Sequence, residues 1–282
     1  MSGNAIEVRD LRKSYGSVEA VRGISFEVRR GEVYGLLGPN GAGKTTTVEI
    51  LEGYRERSGG DAVVLGTDPG RRDQELRRRI GIVLQTSGFH PRATPRELME
   101  LTAAAYPKPR DPRETIALVG LEGKEDAHTK TLSGGQKRRL DLALALVGDP
   151  ELVFLDEPTT GFDPAARRTA WDSIRTLKEL GKTVFLTTHY LDEAQSLADR
   201  VGIVRDGVMV AEGPPSELRP DRAHYRVAYQ RNGDRVEHET DDPTELLHRL
   251  TAEALERGER LENLSVGRPS LEEVYLELMA EE

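Results

Sequence analysis

The 282-residue sequence contains no cysteine, so disulfide bonds and thiolate metal sites are excluded. It also contains no run of about 18 apolar residues, the length that a membrane-spanning helix needs, so we expect no such helix. Lysines and arginines number 40 against 49 aspartates and glutamates, which argues against the basic surface of a general nucleic-acid-binding protein. The remaining composition, 37% hydrophobic and 32% charged, suits a soluble globular protein with a substantial core.

The charges are spread unevenly along the chain. Residues 221–282 carry 16 acidic and 8 basic side chains, and every lysine precedes them. A shift of this kind indicates a domain boundary, here near Pro220. We therefore expect one domain of residues 1–219 and a small acidic domain of residues 220–282, whose charges form a solvated surface.

The segment from Gly38 to Thr45 fits the phosphate-binding pattern G-x-x-x-x-G-K-[ST]. An apolar strand, Val33–Leu37, precedes it, and a helix follows it. Glycines let backbone N–H groups approach an anion closely, with the positive end of the helix dipole behind them. Lys44 can reach the β and γ phosphates, and the Thr45 hydroxyl can ligate Mg²⁺. We predict that a nucleoside triphosphate binds here; the alternative is a glycine turn without a ligand.

Asp156 and Glu157 follow the apolar run Leu152–Leu155, so we expect them at the carboxyl edge of a parallel sheet, where α/β proteins bind ligands. Beside a phosphate loop, Asp156 is placed to support Mg²⁺ and Glu157 to accept a proton from water. A second strand, Thr183–Thr188, ends at His189 and brings this histidine to the same edge, in reach of the γ-phosphate. The alternatives are an ordinary helix start at the two acids and a structural histidine.

Residues from about 88 to 150 are predicted to form a mainly helical insertion. Helix starts are readable at Thr94 and Asp111, each followed by proline at the first helical position and glutamate at the third. Within this segment, Leu132–Gln136 reads Leu-Ser-Gly-Gly-Gln. Ser133 can cap the following helix, and the two glycines leave its N-terminus open to an anion. An ordinary Ser-Gly-Gly turn is the alternative.

Further strands and turns surround these motifs. Ile6–Arg9 and Ile24–Val28 alternate apolar and polar residues, as half-exposed antiparallel strands do. Tyr15 lies between them and could lay its ring against a base, although a tyrosine in a turn usually only packs. The strand Ile80–Leu84 ends at Gln85.

The rest of the chain also divides into readable elements. Asp163 and Pro164 begin a helix that ends at Gly181, and a hairpin turns at Arg205–Gly207. The C-terminal part reads as a small α/β module without a catalytic constellation. Its predicted strands and helix starts are Tyr225–Tyr229, Arg235–Glu239, Asp242 and Ser270.

Taken in order, these motifs resemble those of the nucleotide-binding subunit of an ABC transporter, over about residues 5–219. The matching family motifs are Walker A, the signature, Walker B, the A-loop, the Q-loop, the D-loop and the switch histidine. In this chain they are, respectively, Gly38–Thr45, Leu132–Gln136, Leu152–Glu157, Tyr15, Gln85, Asp163 and His189. The resemblance implies an α/β fold: a P-loop NTPase (RecA-like) core, an antiparallel β subdomain and a helical signature subdomain, with the small C-terminal α/β module added.

The resemblance also implies an ATPase that uses ATP and Mg²⁺. The catalytic side chains would be Glu157, His189, Lys44 and Gln85, and the Mg²⁺ ligands Thr45, Gln85 and Asp156. ATP would contact Tyr15, Gly38, Pro39, Asn40, Gly41, Ala42, Gly43, Lys44, Thr45 and Thr46 of one chain. Members of the family sandwich ATP between two subunits. A homodimer would therefore complete each site in trans with Ser133, Gly134, Gly135, Gln136 and Asp163.

The same resemblance implies separate membrane permease subunits that dock near Gln85–His90, with this chain peripheral at the cytoplasmic face of the cell membrane. No nucleic-acid partner is expected. Three stretches, Thr187–Ala194, Gly161–Pro164 and Ser270–Tyr275, are similar to bacterial exporter ATPases of the daunorubicin-resistance type, which implies efflux of a hydrophobic small molecule or drug. Phe162 departs from the leucine of many relatives and should not disturb the neighbouring aspartate.

Three other classes of protein contain a phosphate loop, and each fits this sequence less well. Chromosome ATPases insert long coiled coils between the phosphate loop and the signature, whereas Gly43 and Leu132 are only 89 positions apart and no sustained heptads lie between them. Translation-factor relatives carry two ATPase domains in one chain, and this chain has one. A small-molecule kinase would leave Leu132–Gln136 unexplained. A soluble ABC ATPase acting on nucleic acid or the ribosome is the alternative that stays open.

Overall fold

A computed structural model describes residues 3–83, 88–218, 225–231, 234–267 and 275 of the chain. The chain divides into two compact units, Met1–Pro215 and Ser216–Glu282. The boundary that the charge distribution predicts, between residues 219 and 220, lies outside the described residues.

The larger unit alternates strands and helices. In chain order its elements are β1 (Asn4–Tyr15), β2 (Val18–Arg29), β3 (Val33–Leu37), α1 (Lys44–Leu51), β4 (Gly59–Val64), α2 (Gln74–Arg79), β5 (Ile80–Val83), α3 (Pro95–Ala103), α4 (Pro112–Leu118), α5 (Gly134–Leu146), β6 (Leu152–Asp156), α6 (Pro164–Glu179), β7 (Thr183–Thr188), α7 (Leu191–Leu197), β8 (Arg200–Arg205) and β9 (Val208–Gly213).

A six-stranded sheet in the order β5-β6-β7-β3-β8-β9 forms the centre of this unit. Its neighbouring strands are parallel from β5 to β8, and β9 returns antiparallel to β8 in the predicted hairpin. Strands β3, β6 and β7 are buried along their whole length, which is why each contains an uninterrupted stretch of three or more apolar or glycine residues. Because these three strands are parallel, the residues that follow them meet at one edge of the sheet.

A separate antiparallel sheet in the order β2-β1-β4 packs on this core. β1 and β2 confirm the two predicted antiparallel strands and extend beyond them. Phe26 of β2 stacks on Tyr34 of β3 with ring centroids 5.3 Å apart, and Tyr34 stacks on Phe185 of β7 at 5.7 Å. This aromatic column joins the antiparallel sheet to the centre of the parallel one.

The predicted helical insertion contains α3, α4 and α5. Thr94 and Asp111 cap the first two helices as expected: Thr94 forms a capping box with Glu97, and the Asp111 carboxylate accepts from two backbone N–H groups. Buried side chains of all three helices, among them Met99, Ile116 and Leu140, share one core with β6 and β7. The insertion is therefore packed against the sheet that carries the acids.

The smaller unit contains β10 (Tyr225–Arg231), β11 (Asp234–Thr240), α8 (Pro243–Glu256) and β12 (Glu262–Gly267), with the strand order β11-β10-β12. Its core is small and centres on Val227, Tyr229, Leu246 and Leu250. The helix predicted to begin at Ser270 has its start outside the described residues. In the part of the chain that the structure describes, no helix combines the length and apolarity that crossing a membrane requires.

Candidate active site

The phosphate loop connects β3 to α1 and needs glycine at two close approaches. Gly43 precedes α1 with a φ of 96°, in the left-handed region that favours glycine. A Cβ at Gly43 would lie 2.4 Å from the Ala20 carbonyl oxygen, and a Cβ at Gly38 would lie 2.3 Å from the Val204 carbonyl oxygen. The loop therefore rests directly on two strands, and α1 begins at its end, as an anion-binding helix N-terminus does.

Lys44 is the first residue of α1 and is only 4% exposed. Its Nζ donates to the carbonyl oxygens of Gly38 at 2.8 Å and Pro39 at 3.1 Å, and lies 3.5 Å from Glu157 Oε1. Burial lowers the pKa of Lys44, and the charges of Glu157 and Asp156 oppose that shift. The ammonium group is thus held at the loop, in reach of a phosphate bound there.

Asp156 ends β6, and a neighbouring strand fixes its buried carboxylate. Thr187 of β7 lies opposite Asp156 in the parallel ladder and donates its hydroxyl to Asp156 Oδ1. The same hydroxyl oxygen accepts from the backbone N–H of Glu157 at 3.0 Å. One buried threonine therefore orients both acids at the carboxyl edge of the sheet.

Three side chains converge on the carboxylate of Glu157. Lys44 Nζ lies 3.5 Å and His189 Nδ1 lies 3.4 Å from Oε1, while the Thr160 hydroxyl donates to Oε2 at 3.1 Å. His189 packs against Tyr190, with ring centroids 4.0 Å apart. A carboxylate beside a cation and a histidine can accept a proton from a water molecule at this edge.

Ser133 caps α5, as the sequence predicts. Its Oγ accepts from the Gln136 N–H at 3.2 Å, and Gln136 Oε1 accepts from the Ser133 N–H at 2.9 Å, which makes a complete capping box. A Cβ added at Gly134 or Gly135 would meet no atom within 4 Å. The first turn of α5 is therefore open, and its N-terminus can face an anion.

These capping residues lie at a cavity of about 570 Å³ and not at the phosphate loop. Ser133, Gln136 and Asp163 line the cavity together with side chains of α5 and α6. Asp163 caps α6 by accepting from the N–H groups of Ala165 and Ala166. Between the residues that the structure describes, no hydrogen bond or ion pair joins Ser133–Gln136 to the phosphate loop. One chain thus keeps two sets of predicted site residues apart.

Tyr15 ends β1 with its ring partly exposed. Lys13 Nζ lies 5.1 Å and the Arg55 guanidinium 5.2 Å from the ring centroid, and Arg55 is also paired with Glu49. The ring is therefore held by cation–π contacts at the surface, where a flat base could stack on it.

Gln85 belongs to residues 84–87, which lie outside the described residues, so its predicted catalytic and metal roles stay predictions. Next to this stretch, Phe89 is partly buried against the core of the helical insertion. The carbonyl oxygen of His90 accepts from the Thr129 hydroxyl at 2.7 Å. Phe89 and His90 are thus held by contacts with residues of the helical insertion.

Thr160 and Thr187 both hold the acids, and neither is among the site residues predicted from the sequence. Thr160 lies three residues after Glu157, so a local hydrogen bond could have been inferred from sequence. Thr187 carries a weaker signal, because its contact with Asp156 depends on which strands are neighbours, and strand order is not written in the local sequence.

A family model described as ABC transporter matches residues 21–160. The daunorubicin/doxorubicin resistance ATP-binding protein DrrA of Streptomyces peucetius is 37% identical to this chain, over 97% of this chain and 92% of that protein. The chain belongs to the ABC transporter family. The resemblance stated from the sequence is thereby confirmed, and the chain is a nucleotide-binding ATPase of an ABC transporter.

Two further proteins resemble this ABC transporter ATPase. The Nod factor export ATP-binding protein I of Burkholderia orbicola (strain AU 1054) is 43% identical, over 77% of this chain and 73% of that protein. The ATP-binding cassette MJ0796, solved as a dimer in a post-hydrolysis state with ADP and phosphate, superimposes with a TM-score of 0.66 at 24% identity. That match covers 74% of this chain and 98% of the cassette, and it confirms the predicted α/β P-loop fold.

Proposed function

We propose that this ABC transporter ATPase hydrolyses ATP between two copies of the chain and thereby drives membrane subunits that export a hydrophobic small molecule. The observation that carries the proposal is the position of the Glu157 carboxylate, within 3.5 Å of both Lys44 Nζ and His189 Nδ1. A carboxylate beside the lysine of the phosphate loop supports the assignment of Glu157 as the proton acceptor.

In each site, the backbone of the phosphate loop and Lys44 bind the phosphates, and Tyr15 stacks on adenine. Glu157 accepts the proton of a water molecule as the water oxygen bonds to the γ-phosphorus. The bond from the γ-phosphorus to the bridging oxygen breaks, which gives ADP and phosphate. His189 contacts the γ-phosphate, and Gln85 assists at the same centre.

The residues at this edge fit Mg²⁺. Thr45 and Asp156 offer oxygen donors, which Mg²⁺ prefers, and Thr187 engages only Oδ1 of Asp156. Among the described residues, no group of three or more His, Cys, Asp or Glu side chains is placed to hold a metal by itself. Few protein ligands combined with phosphate oxygens are the usual Mg²⁺ arrangement at nucleotides. We assign Thr45, Asp156 and Gln85 to Mg²⁺, which when bound would neutralise phosphate charge.

A second copy of the chain would complete each site with Ser133, Gly134, Gly135, Gln136 and Asp163. Two observations support this arrangement: the first turn of α5 is open, and it is separated from the phosphate loop of its own chain. The solved relative MJ0796 is a dimer. A two-fold symmetric pair contains two such sites and closes the assembly.

The membrane side of the proposal rests on the relatives. One is a daunorubicin/doxorubicin resistance protein and the other serves Nod factor export. We therefore propose efflux, with permease subunits docking near Gln85–His90 and this chain at the cytoplasmic face of the membrane. Residues 220–282 would form an accessory domain that stabilises the dimer or the docked partner, and its deletion followed by measurement of ATP-dependent dimerisation distinguishes the two.

The Glu157→Gln variant tests the catalytic assignment, because the amide keeps the shape of the side chain and cannot accept a proton. We expect hydrolysis to fall at least about 100-fold and an ATP-bound dimer to accumulate on gel filtration. Glu179→Gln, at the exposed end of α6, is the matched control and should behave as wild type. Hydrolysis at the normal rate in Glu157→Gln would rule out this base.

Reconstitution tests transport. Inverted vesicles that contain this chain and its membrane subunit should accumulate a hydrophobic dye such as Hoechst 33342 with ATP and not with Glu157→Gln. A detergent pull-down supplies the membrane subunit. Co-sedimentation with ribosomes or nucleic acid, together with no membrane protein in the pull-down, would favour the soluble alternative.

A further inference from the structure

The three residues that follow β6, Glu157 to Thr159, are each attached to a different element. The Glu157 N–H donates to Thr187 of β7, as described above. The carbonyl oxygen of Pro158, the following residue, accepts from Arg138 Nε of α5 at 3.2 Å. The Thr159 hydroxyl, fully buried, donates to Glu193 Oε1 of α7 at 2.8 Å.

This segment has a backbone conformation that needs outside support. Glu157 adopts a φ of 44°, in the left-handed region that is strained for residues with a Cβ. Strained residues of this kind persist where the surrounding contacts determine them fully. Arg138 and Glu193 contact the segment immediately after the strained residue, from two sides, so they restrict the direction of its side chain.

Glu193 is placed for this task in an unusual way for an acid. Its side chain is 0% exposed, and the oxygen that accepts from Thr159 also accepts from Trp171 Nε1 of α6 at 3.1 Å. Burying a carboxyl group is costly unless hydrogen bonds compensate it, and an apolar side chain would pack here at lower cost. The group is thus better explained by the hydrogen bonds that it makes than by packing.

We propose that Arg138 and Glu193 are positioning residues that hold the Glu157–Thr159 segment and so aim the Glu157 carboxylate at the attacking water. This inference rests on the proposed function, because it takes Glu157 as the base. It links the base to two other parts of that function: Arg138 lies on the helix that Ser133 caps, and Glu193 lies on the helix that follows His189.

Thr159→Val is the decisive variant, because it removes one hydroxyl with little change in volume and touches no residue assigned to ATP. We expect kcat to fall about tenfold, the effect of losing one hydrogen bond to a charged group, while the affinity for ATP stays within about twofold. Thr176 is a half-buried threonine of α6 whose hydroxyl donates to the Asp172 carbonyl of the same helix. Thr176→Val is therefore the matched control and should keep wild-type kinetics.

Variants at the acceptor separate positioning from packing. The amide oxygen of Glu193→Gln can still accept from Thr159 and Trp171, so we expect kcat within about threefold of wild type, whereas Glu193→Ala should match Thr159→Val. The double variant Thr159→Val/Glu193→Ala should be no slower than Glu193→Ala, because both changes remove the same contact. Arg138→Met, which keeps the stem and loses the donor, should lower kcat and leave ATP binding unchanged.

The outcomes distinguish this inference from the proposed function. If wild type hydrolyses ATP, Glu157→Gln does not, and Thr159→Val has normal kcat, the positioning role is wrong and the function stands. A loss of ATP affinity equal to the loss of kcat in Thr159→Val also overturns it, because a general structural role would act on both. If wild type neither binds nor hydrolyses ATP, the proposed function itself fails.

Discussion

The two loops assigned to phosphate differ in how much of a site one chain builds around them. At the phosphate loop, Lys44, Asp156 and Glu157 are brought together by buried contacts within the chain. At Ser133, the capping hydrogen bonds join only Ser133 and Gln136, and the first turn of α5 borders a cavity whose lining, among the described residues, includes none of the phosphate loop. We infer that nucleotide binding is a property of one chain, whereas hydrolysis needs two.

The largest expected effect tests whether one chain binds nucleotide through its own phosphate loop. Lys44→Met removes the buried ammonium group and should weaken ATP binding at least about 100-fold, since charge-assisted contacts to phosphate are lost. Calorimetric titration with ATP measures it directly. Lys124→Met, at an exposed position of the helical insertion, is the control; equal affinities of the two variants would contradict the assignment of Lys44.

Mixing two inactive variants tests whether hydrolysis needs residues from two chains. Ser133→Arg and Glu157→Gln should each abolish hydrolysis, but in a mixed dimer one of the two sites has an intact Ser133 and an intact Glu157. Equal amounts should therefore recover up to about a quarter of the wild-type rate, because half of randomly formed dimers are mixed. Steady-state phosphate release measures the recovery. No recovery, with mixed dimers shown to form, would mean that each site is built within one chain.

A smaller effect is expected at Thr187, the hydroxyl that orients both acids. Thr187→Val should lower hydrolysis about tenfold and the free energy of unfolding by about 1–2 kcal/mol, since it removes the hydrogen bond to the buried Asp156 carboxylate and the one from the Glu157 N–H. Phosphate release and urea unfolding measure the two effects, with Thr176→Val again as the control. Unchanged hydrolysis would show that the acids keep their place without this contact.

A last expected effect concerns stability alone, with no effect on hydrolysis, and lies at the far end of α1. Glu52 is 5% exposed, and burial, with the charges of Asp156 and Glu49 adding to it, raises its pKa to about 8. The unfolded carboxyl loses its proton near pH 4.5, whereas the folded one keeps it to about 8. The stability from this group is therefore complete below pH 4.5 and is lost as pH rises to about 8.

Glu52→Gln removes that dependence. Relative to the variant, wild type should lose roughly 2–4 kcal/mol of unfolding free energy between pH 5 and 8. Urea unfolding at both pH values measures it. An equal pH dependence in the two proteins would mean that Glu52 titrates normally in the folded chain.

Sequence reasoning succeeded where the signal is local. The strands β3, β6 and β7 each contain a short apolar stretch, because both faces of the sheet are covered there. The caps at Thr94, Asp111 and Ser133 follow from side chains that reach two or three residues along the chain. The phosphate loop is also predicted from a local pattern, because its glycines, lysine and threonine lie within the segment Gly38–Thr45.

The misses arise from contacts between distant residues. β4 (Gly59–Val64) is not among the predicted strands; it begins with two glycines, which weaken a strand signal, yet it pairs with β1. β12 (Glu262–Gly267) is exposed throughout, and its apolar residues are limited to Leu264 and Val266, too few to predict a strand. The hydrogen bonds of Arg138 and Glu193 to the segment after β6 join residues that are 20 and 34 positions apart in the sequence. No local sequence pattern predicts such contacts.

The fit of Gly43 against Ala20 and of Gly38 against Val204 has a mechanical consequence. The loop packs between the backbones of β2 and β8, so its conformation depends on the relative position of the two sheets to which these strands belong. A substitution far from the nucleotide could displace β2 by a fraction of an ångström. Steric contact with Gly43 would then shift the phosphate loop, and with it the bound phosphates. Mutations along β2 should therefore alter nucleotide affinity without replacing any residue that touches the ligand.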